Sequence, residues 1–219
     1  SRLPRKKRSK MEITIDMIKD LREKTGCGIM DCKNALINSN GDFDAALEVL
    51  RAQGLKKAEK RVNREASEGR VEVYVHSEGR LVVVVEVNSE TDFVAKSDLF
   101  LELCHEVALQ IAAASPKYVS EEDIPAEVIE AEKEGVATRV REEGKPEAII
   151  PKIVEGYMKK YMDENVLLNQ KYIRDESKTI ADLVNDKVAA LGERIVIRRF
   201  IRYALGETTK HLEEEEDAE

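Results

Sequence analysis

Apolar residues recur at helical spacing through the first quarter of the chain. Met17, Ile18 and Leu21 share one face behind a candidate N-cap at Thr14. Thr25, Gly26, Cys27 and Gly28 break that helix, and Ile29, Cys32 and Leu36, at i, i+3 and i+7, mark a second. Asn40, Gly41 and Asp42 stop the second helix and cap a third. Phe43, Ala46, Leu47 and Leu50 form the stripe of that third helix, with Gly54 as its expected C-terminal stop. Residues 11–54 therefore read as a compact three-helix bundle, marginally stable on its own and suited to an interaction module. Residues 55–70 are strongly charged, lack a wide apolar stripe, and read as a helix-permissive linker.

The period then changes from helical to alternating. Val71, Val73 and Val75 alternate with Glu72, Tyr74 and His76, the pattern of a half-buried strand. After a turn at residues 77–80 comes a continuous apolar run, residues 81–85, expected of a central strand covered on both faces. A third strand is expected far away, at residues 195–203, where the adjacent Arg198 and Arg199 upset alternation and favour a bulge or an edge position. Pairing it with the first two gives a small antiparallel sheet. The intervening chain is helical: Phe100, Leu103, Val107 and Ile111 form a stripe behind Ser97, Pro125 can open one helix, and Pro146 or Pro151 another. Thr179 and Asp182 have the spacing of a capping box for a last helix ending at Gly192. The expected fold class is α+β, a helical bundle followed by a core over residues 71–206 in which helices pack on a small antiparallel sheet.

Composition narrows the function classes. The 219 residues include 36 basic and 44 acidic side chains, a formal charge of −8, with 42% hydrophobic content. That is enough apolar material for a core, so the chain is not of the disordered class. Its longest apolar run is far below the roughly 18–20 residues of a membrane span, so no membrane partner is expected. A net acidic chain is poorly suited to tight non-specific nucleic-acid binding, so no direct nucleic-acid partner is expected either. Charge is segregated at the ends: residues 1–10 hold six bases and no acid, and residues 213–219 hold six acids and no base. Residues 1–10, read as a processed or added segment, and residues 207–219 are expected to be disordered tails. Cys27, Cys32 and Cys104 are too few for a disulfide framework and point to a reducing compartment, the cytoplasm or an organelle matrix.

Enzyme motifs are missing. The Gly144-Lys145 pair is followed by Pro146 rather than Ser or Thr, Gly26 and Gly28 lie between helices, and no Gly-x-Ser-x-Gly occurs. His76, His105 and His211 lack metal-ligand spacing. No cofactor and no bond chemistry are expected. The segment that stands out is Asn-Ser-Glu-Thr-Asp-Phe-Val-Ala-Lys at residues 88–96, a loop between a buried strand and a helix, where binding residues are often placed. It has two readings. Phe93 tucks into the local core while Asp92 makes a turn hydrogen bond, or Phe93 and Asp92 form an exposed wedge beside a carboxylate.

This segment resembles the signature of the elongation factor Ts family, the nucleotide exchange factors of elongation factor Tu. The resemblance extends to residues 21–36, 175–179 and 195–199, in the family's order. It implies a ubiquitin-associated-like N-terminal bundle that docks on the nucleotide-binding domain of elongation factor Tu through Arg22, Ile29 and Met30, where the family often has Met in place of Ile29. It implies that Asp92 and Phe93, in a loop fixed by Thr91 and Val94, intrude near the magnesium of elongation factor Tu and promote GDP release. The chain is short for the family, with strand material for one small sheet, which implies a homodimer. Two readings compete: a ubiquitin-binding adaptor built on the bundle, and a thiol enzyme using Cys27 or Cys32.

Overall fold

A computed structural model describes residues 12–207 of the chain. Most of the two charged tails, together with His211, lie outside these residues. Three helices come first: α1 (Ile15–Thr25), α2 (Ile29–Asn38) and α3 (Phe43–Glu59). The caps follow from the sequence. Thr14 Oγ1 accepts from Met17 N at 3.2 Å, and Asp42 Oδ1 accepts from Ala45 N at 3.0 Å, each satisfying an orphan donor of a first turn. Leu21, Cys32, Leu36, Ala46 and Leu50 close the bundle's own core.

Gly54 does not stop α3. The helix runs five residues further, to Glu59. A mid-helix glycine costs about 1 kcal/mol relative to alanine, and the reason for it here is close approach: a Cβ at Gly54 would sit 2.7 Å from the Cβ of Ala189. Gly26, in the left-handed conformation that ends α1 (φ 68°), is similarly close-packed, since a Cβ there would lie 2.9 Å from Leu99 Cδ1. The bundle is thereby seated on the core, and the expected linker begins as the last turn of α3.

The core is a three-stranded antiparallel sheet in the order β1 (Glu68–His76), β2 (Leu81–Ser89), β5 (Ile195–Ala204). The distant third strand therefore pairs where the sequence puts it, at an edge and with a bulge. Glu86 faces Arg199 while Val87 faces Ile197, leaving Arg198 as the extra residue. Val83, Val85 and Val87 point inward onto α5 (Asp98–Ala114) and α8 (Ile180–Leu191), among Phe100, Leu103, Val107, Ile111, Ile180 and Val188. Each such side chain contributes about 1.5–3 kcal/mol on burial. The capping box of α8 is formed, with Thr179 N donating to Asp182 Oδ2 at 2.8 Å and Asp182 N donating back to Thr179 Oγ1 at 3.1 Å.

Two strand expectations are corrected. β2 is central in the sheet, but helices cover only one of its faces, and Val82 and Val84 are half-buried on the other. On β1 the valines point outward: Val71, Val73 and Val75 are each more than half exposed, while Tyr74 packs against the core and Glu72 lies near His105 of α5. Alternation reported the strand but not which face would be buried: on the covered face His105 of α5 meets both the Glu72 carboxylate and the Tyr74 ring.

The remaining chain forms α6 (Ala126–Glu142) and α7 (Ile150–Asn165), opened by Pro125 and Pro151. These pack antiparallel through their own apolar seams, with Val136 and Val140 on Ile150 at one end, and Val128 and Ile129 near Met158 and Tyr161 at the other. A two-stranded ribbon, β3 (Lys171–Tyr172) with β4 (Asp175–Thr179), was not anticipated from the sequence. It is held by the buried Gln110, whose amide donates to Gln170 Oε1 and Lys171 O and accepts from Ile173 N, all within 3.1 Å.

Candidate functional site

Between β2 and α5 the chain makes a single helical turn, α4 (Asp92–Ala95), rather than an open loop. Thr91 is its N-cap, with Oγ1 accepting from Val94 N at 3.4 Å. Ala95 is buried and Val94 packs against the main core, which anchors one side of the turn. The other side carries Phe93, 83% exposed. The reading in which Phe93 tucks into the local core is therefore excluded, and the phenyl ring stands in solvent. Asp92 pairs with Lys96 Nζ at 2.7 Å in an exposed i, i+4 bridge, whose hydrogen bond holds the Asp92 carboxyl below the ordinary carboxylate range. Both partners are exposed, so solvent screens the bridge and Asp92 is easily released to another partner.

The base of the turn is anchored by charge. Burial alone would raise the pKa of Glu90, but hydrogen bonds outweigh it: the backbone N–H of Arg194 at 2.7 Å, the Arg64 guanidinium at 2.9 Å and that of Arg61 at 2.8 Å bring it down to about 2. Asn88, also buried, donates to Glu68 O and accepts from Arg198 Nε at 3.0 Å. The bulge thus re-aims Arg198 from the ladder onto Asn88. Finally, Thr91 donates both its N–H and its hydroxyl to the carboxylate of Glu193, at 3.0 and 2.7 Å.

The bundle residues form a second surface. Arg22 is exposed, as are Ile29 (54%) and Met30 (62%), in the first turn of α2. The α1–α2 turn meets Leu99 through Gly26, and Leu99 lies in the first turn of α5, directly after α4. The two exposed apolar features thus belong to one seated assembly. Sequence reasoning nominated Thr91, Asp92, Phe93, Val94, Arg22, Ile29 and Met30, and the structure places the first four together at one turn and the other three on the bundle surface. It missed Arg61, Arg64, Glu193 and Arg194, whose partners lie up to 130 residues away and leave no local spacing to read.

All three cysteines are buried, and burial raises their thiols, that of Cys104 to about 12, the opposite of an activated nucleophile. Among the described residues no group of three or more His, Cys, Asp or Glu side chains could hold a metal ion. No described helix is long and apolar enough to cross a membrane. A cleft of about 440 Å³ between bundle and core is lined by Lys178, Asp186, Lys187 and Glu102. Four of its charged side chains are matched in pairs, Lys178–Asp186 and Lys187–Glu102, each at 2.6 Å.

The molecule is thus an α+β protein, helices ahead of a small antiparallel sheet packed with helices, whose distinctive surface is an exposed aromatic turn. The sequence model of the family described as Elongation factor TS matches residues 32–207. The chain is 54% identical over 197 residues to the elongation factor Ts of Coprothermobacter proteolyticus, covering 90% of this chain and 100% of that protein. It is 53% identical over 195 residues to that of Caldanaerobacter subterraneus (89% and 98% covered), and 50% identical over 197 residues to that of Moorella thermoacetica (90% and 97% covered). The chain belongs to the elongation factor Ts family. Arg22, Ile29 and Met30 precede the span matched by the family model.

The Glu90 cluster sets an acid sensitivity. Its folded pKa lies below the ordinary 4.5, so as pH falls the unfolded chain takes up the proton first and stability drops. The contribution is complete above about pH 4.5 and lost progressively towards pH 2. Urea midpoints should fall over this window, and Glu90→Gln should be less stable at neutral pH and change less between pH 4.5 and 2. Parallel wild-type and variant curves would contradict the assignment.

Proposed function

We propose that the protein acts in translation elongation as the guanine nucleotide exchange factor of elongation factor Tu. It binds the GDP-bound form and promotes GDP release through the Thr91-Asp92-Phe93-Val94 turn. Family membership supports the role, and the observation that carries the mechanism is the exposure of Phe93 on a turn whose base is fixed. An aromatic ring left in water on a rigid mount is costly to the free protein and well suited to entering a partner, because little ordering entropy is lost on docking. Phe93 is the wedge that moves a partner helix. Asp92, ionised and weakly paired, competes for polar groups near the partner's Mg²⁺. That ion requires near-ideal octahedral geometry, so small displacements of its ligands and waters loosen the phosphates.

Exchange needs no bond chemistry. The factor binds nucleotide-free elongation factor Tu better than the GDP-bound form, and reciprocity of coupling makes GDP bind less tightly when the factor is present. Arg22, Ile29 and Met30 supply docking affinity apart from the wedge. On this reading the protein works in the cytoplasm as a homodimer.

The homodimer is supported by the outer face of the sheet. Register aligns Val73, Val84 and Ile201 in one row and Val75, Val82 and Tyr203 in the next, with Glu86–Arg199 paired at 2.9 Å at the margin. An apolar face of this kind on a small sheet marks an interface, and packing against its own copy makes a two-sheet sandwich. Introducing charge with Val73→Glu and Ile201→Glu should convert a dimer into a monomer in sedimentation equilibrium. A wild type already monomeric at tens of micromolar would contradict the dimer.

The exchange reading is tested by release of a fluorescent GDP analogue from elongation factor Tu. The wild type should accelerate release, and Asp92→Ala/Phe93→Ala should lose about 30-fold or more of that effect, the scale of one aromatic hot spot, while still binding through the bundle. Binding without acceleration would contradict exchange, and capture of ubiquitin in place of elongation factor Tu would favour the adaptor.

A further inference from the structure

The ladder between β2 and β5 ends at the pair Ser89–Ile195. Continued by one and two residues, the same register sets Glu90 against Arg194 and Thr91 against Glu193. The backbone no longer pairs there, and side-chain carboxylates take over. Arg194 N donates to Glu90 Oε1 at 2.7 Å, and Thr91 N donates to Glu193 Oε2 at 3.0 Å. Each strand's carboxylate receives the other strand's N–H, a reciprocal clasp that prolongs the pairing to the first residue before the exposed turn. The segment after α3 closes it from behind, since Arg61 and Arg64 also bind Glu90, and Arg194 Nη1 donates to the carbonyl of Arg64.

We propose that Glu193 is a positioning residue for the Asp92–Phe93 turn, acting through Thr91 and without touching the partner. The chemistry lies in the hydroxyl. A carboxylate only accepts, so at 2.7 Å from Glu193 Oε1 the Thr91 O–H must spend its proton there. Its lone pair is then turned to the N–H of Val94, the contact that caps the turn. Glu193 thus fixes both the backbone entering α4 and the rotor of its cap. Without Glu193 the hydroxyl is free to rotate, the cap is intermittent, and Phe93 leaves from a base that moves.

This inference rests on the exchange reading and is tested so that the two fail separately. The proteins are the full-length wild type, Glu193→Ala, Glu193→Gln and Thr91→Val. Without any partner, hydrogen exchange at the Val94 amide should quicken about tenfold or more in Glu193→Ala, while the thermal midpoint moves by only a few degrees. Against elongation factor Tu–GDP, Glu193→Ala should lower the maximal rate of GDP release about tenfold, with the half-saturating concentration nearly unchanged, because an ångström of misplacement costs rate rather than docking. Glu193→Gln, which retains one acceptor oxygen, should fall between. In a Thr91→Val background the further effect of Glu193→Ala should shrink, the non-additivity expected of groups acting through one another. Unchanged Val94 exchange, a wild-type maximal rate in Glu193→Ala, or a loss confined to the half-saturating concentration would each overturn the proposal. A wild type that fails to accelerate release overturns the exchange reading instead, and the Val94 measurement then decides whether the clasp exists.

Discussion

The arrangement depends on one long-range pairing, β5 against β2, made by residues more than a hundred positions apart. That pairing fills the inner face of the sheet with Val85, Val87, Ile195 and Ile197, giving α5 and α8 a surface to bury against. It also brings the α8–β5 connection beside the end of β2, where Glu193 and Arg194 meet Thr91 and Glu90. Closing so large a loop costs conformational entropy, though the cost grows slowly with length, and the apolar contacts of the paired strands offset it. The exposed turn is therefore only as rigid as the sheet beneath it.

Close packing of the bundle performs a second, independent task. Glycine at positions 54 and 26 lets α3 and the α1–α2 turn approach Ala189 and Leu99. A bundle of this size is weak alone, and its seat on the core supplies what its own interior lacks. The same seat sets Ile29 and Met30 in a constant relation to α4; on the proposed function, docking by one surface then directs the other. Rigidity on both sides suits the proposed wedge, since a mobile wedge would yield in place of the partner.

Much of this was legible in the sequence, and the parts that were not share a cause. Helices with a single apolar stripe and explicit caps at Thr14, Asp42 and Thr179 could be read locally, because their signals lie within four residues of one another. The third strand was legible through its β-branched run, and its irregularity through the paired arginines. Gly54 misled because glycine ends helices by its freedom but also enters them for its smallness, and only the position of Ala189 distinguishes the two. The outward valines misled because period two identifies a strand without choosing its buried face. The residues of the wedge were visible as a motif, yet its exposure was not, and the glutamates and arginines that hold it were invisible because their spacing exists only in three dimensions.

Exchange by a wedge requires that Phe93, in water in the free protein, lose that exposure in the complex with GDP-bound elongation factor Tu. The most direct measurement is fluorine NMR of the protein labelled with 4-fluorophenylalanine at its four Phe positions, with Phe93 assigned by substitution. The Phe93 resonance should be the narrow, solvent-sensitive one in the free protein. It should shift and broaden when the GDP-bound partner is added, and return when excess GDP dissociates the complex, while Phe100, wholly buried in the core, stays fixed. A Phe93 resonance that keeps its position and solvent sensitivity in a complex shown to be formed would contradict the account.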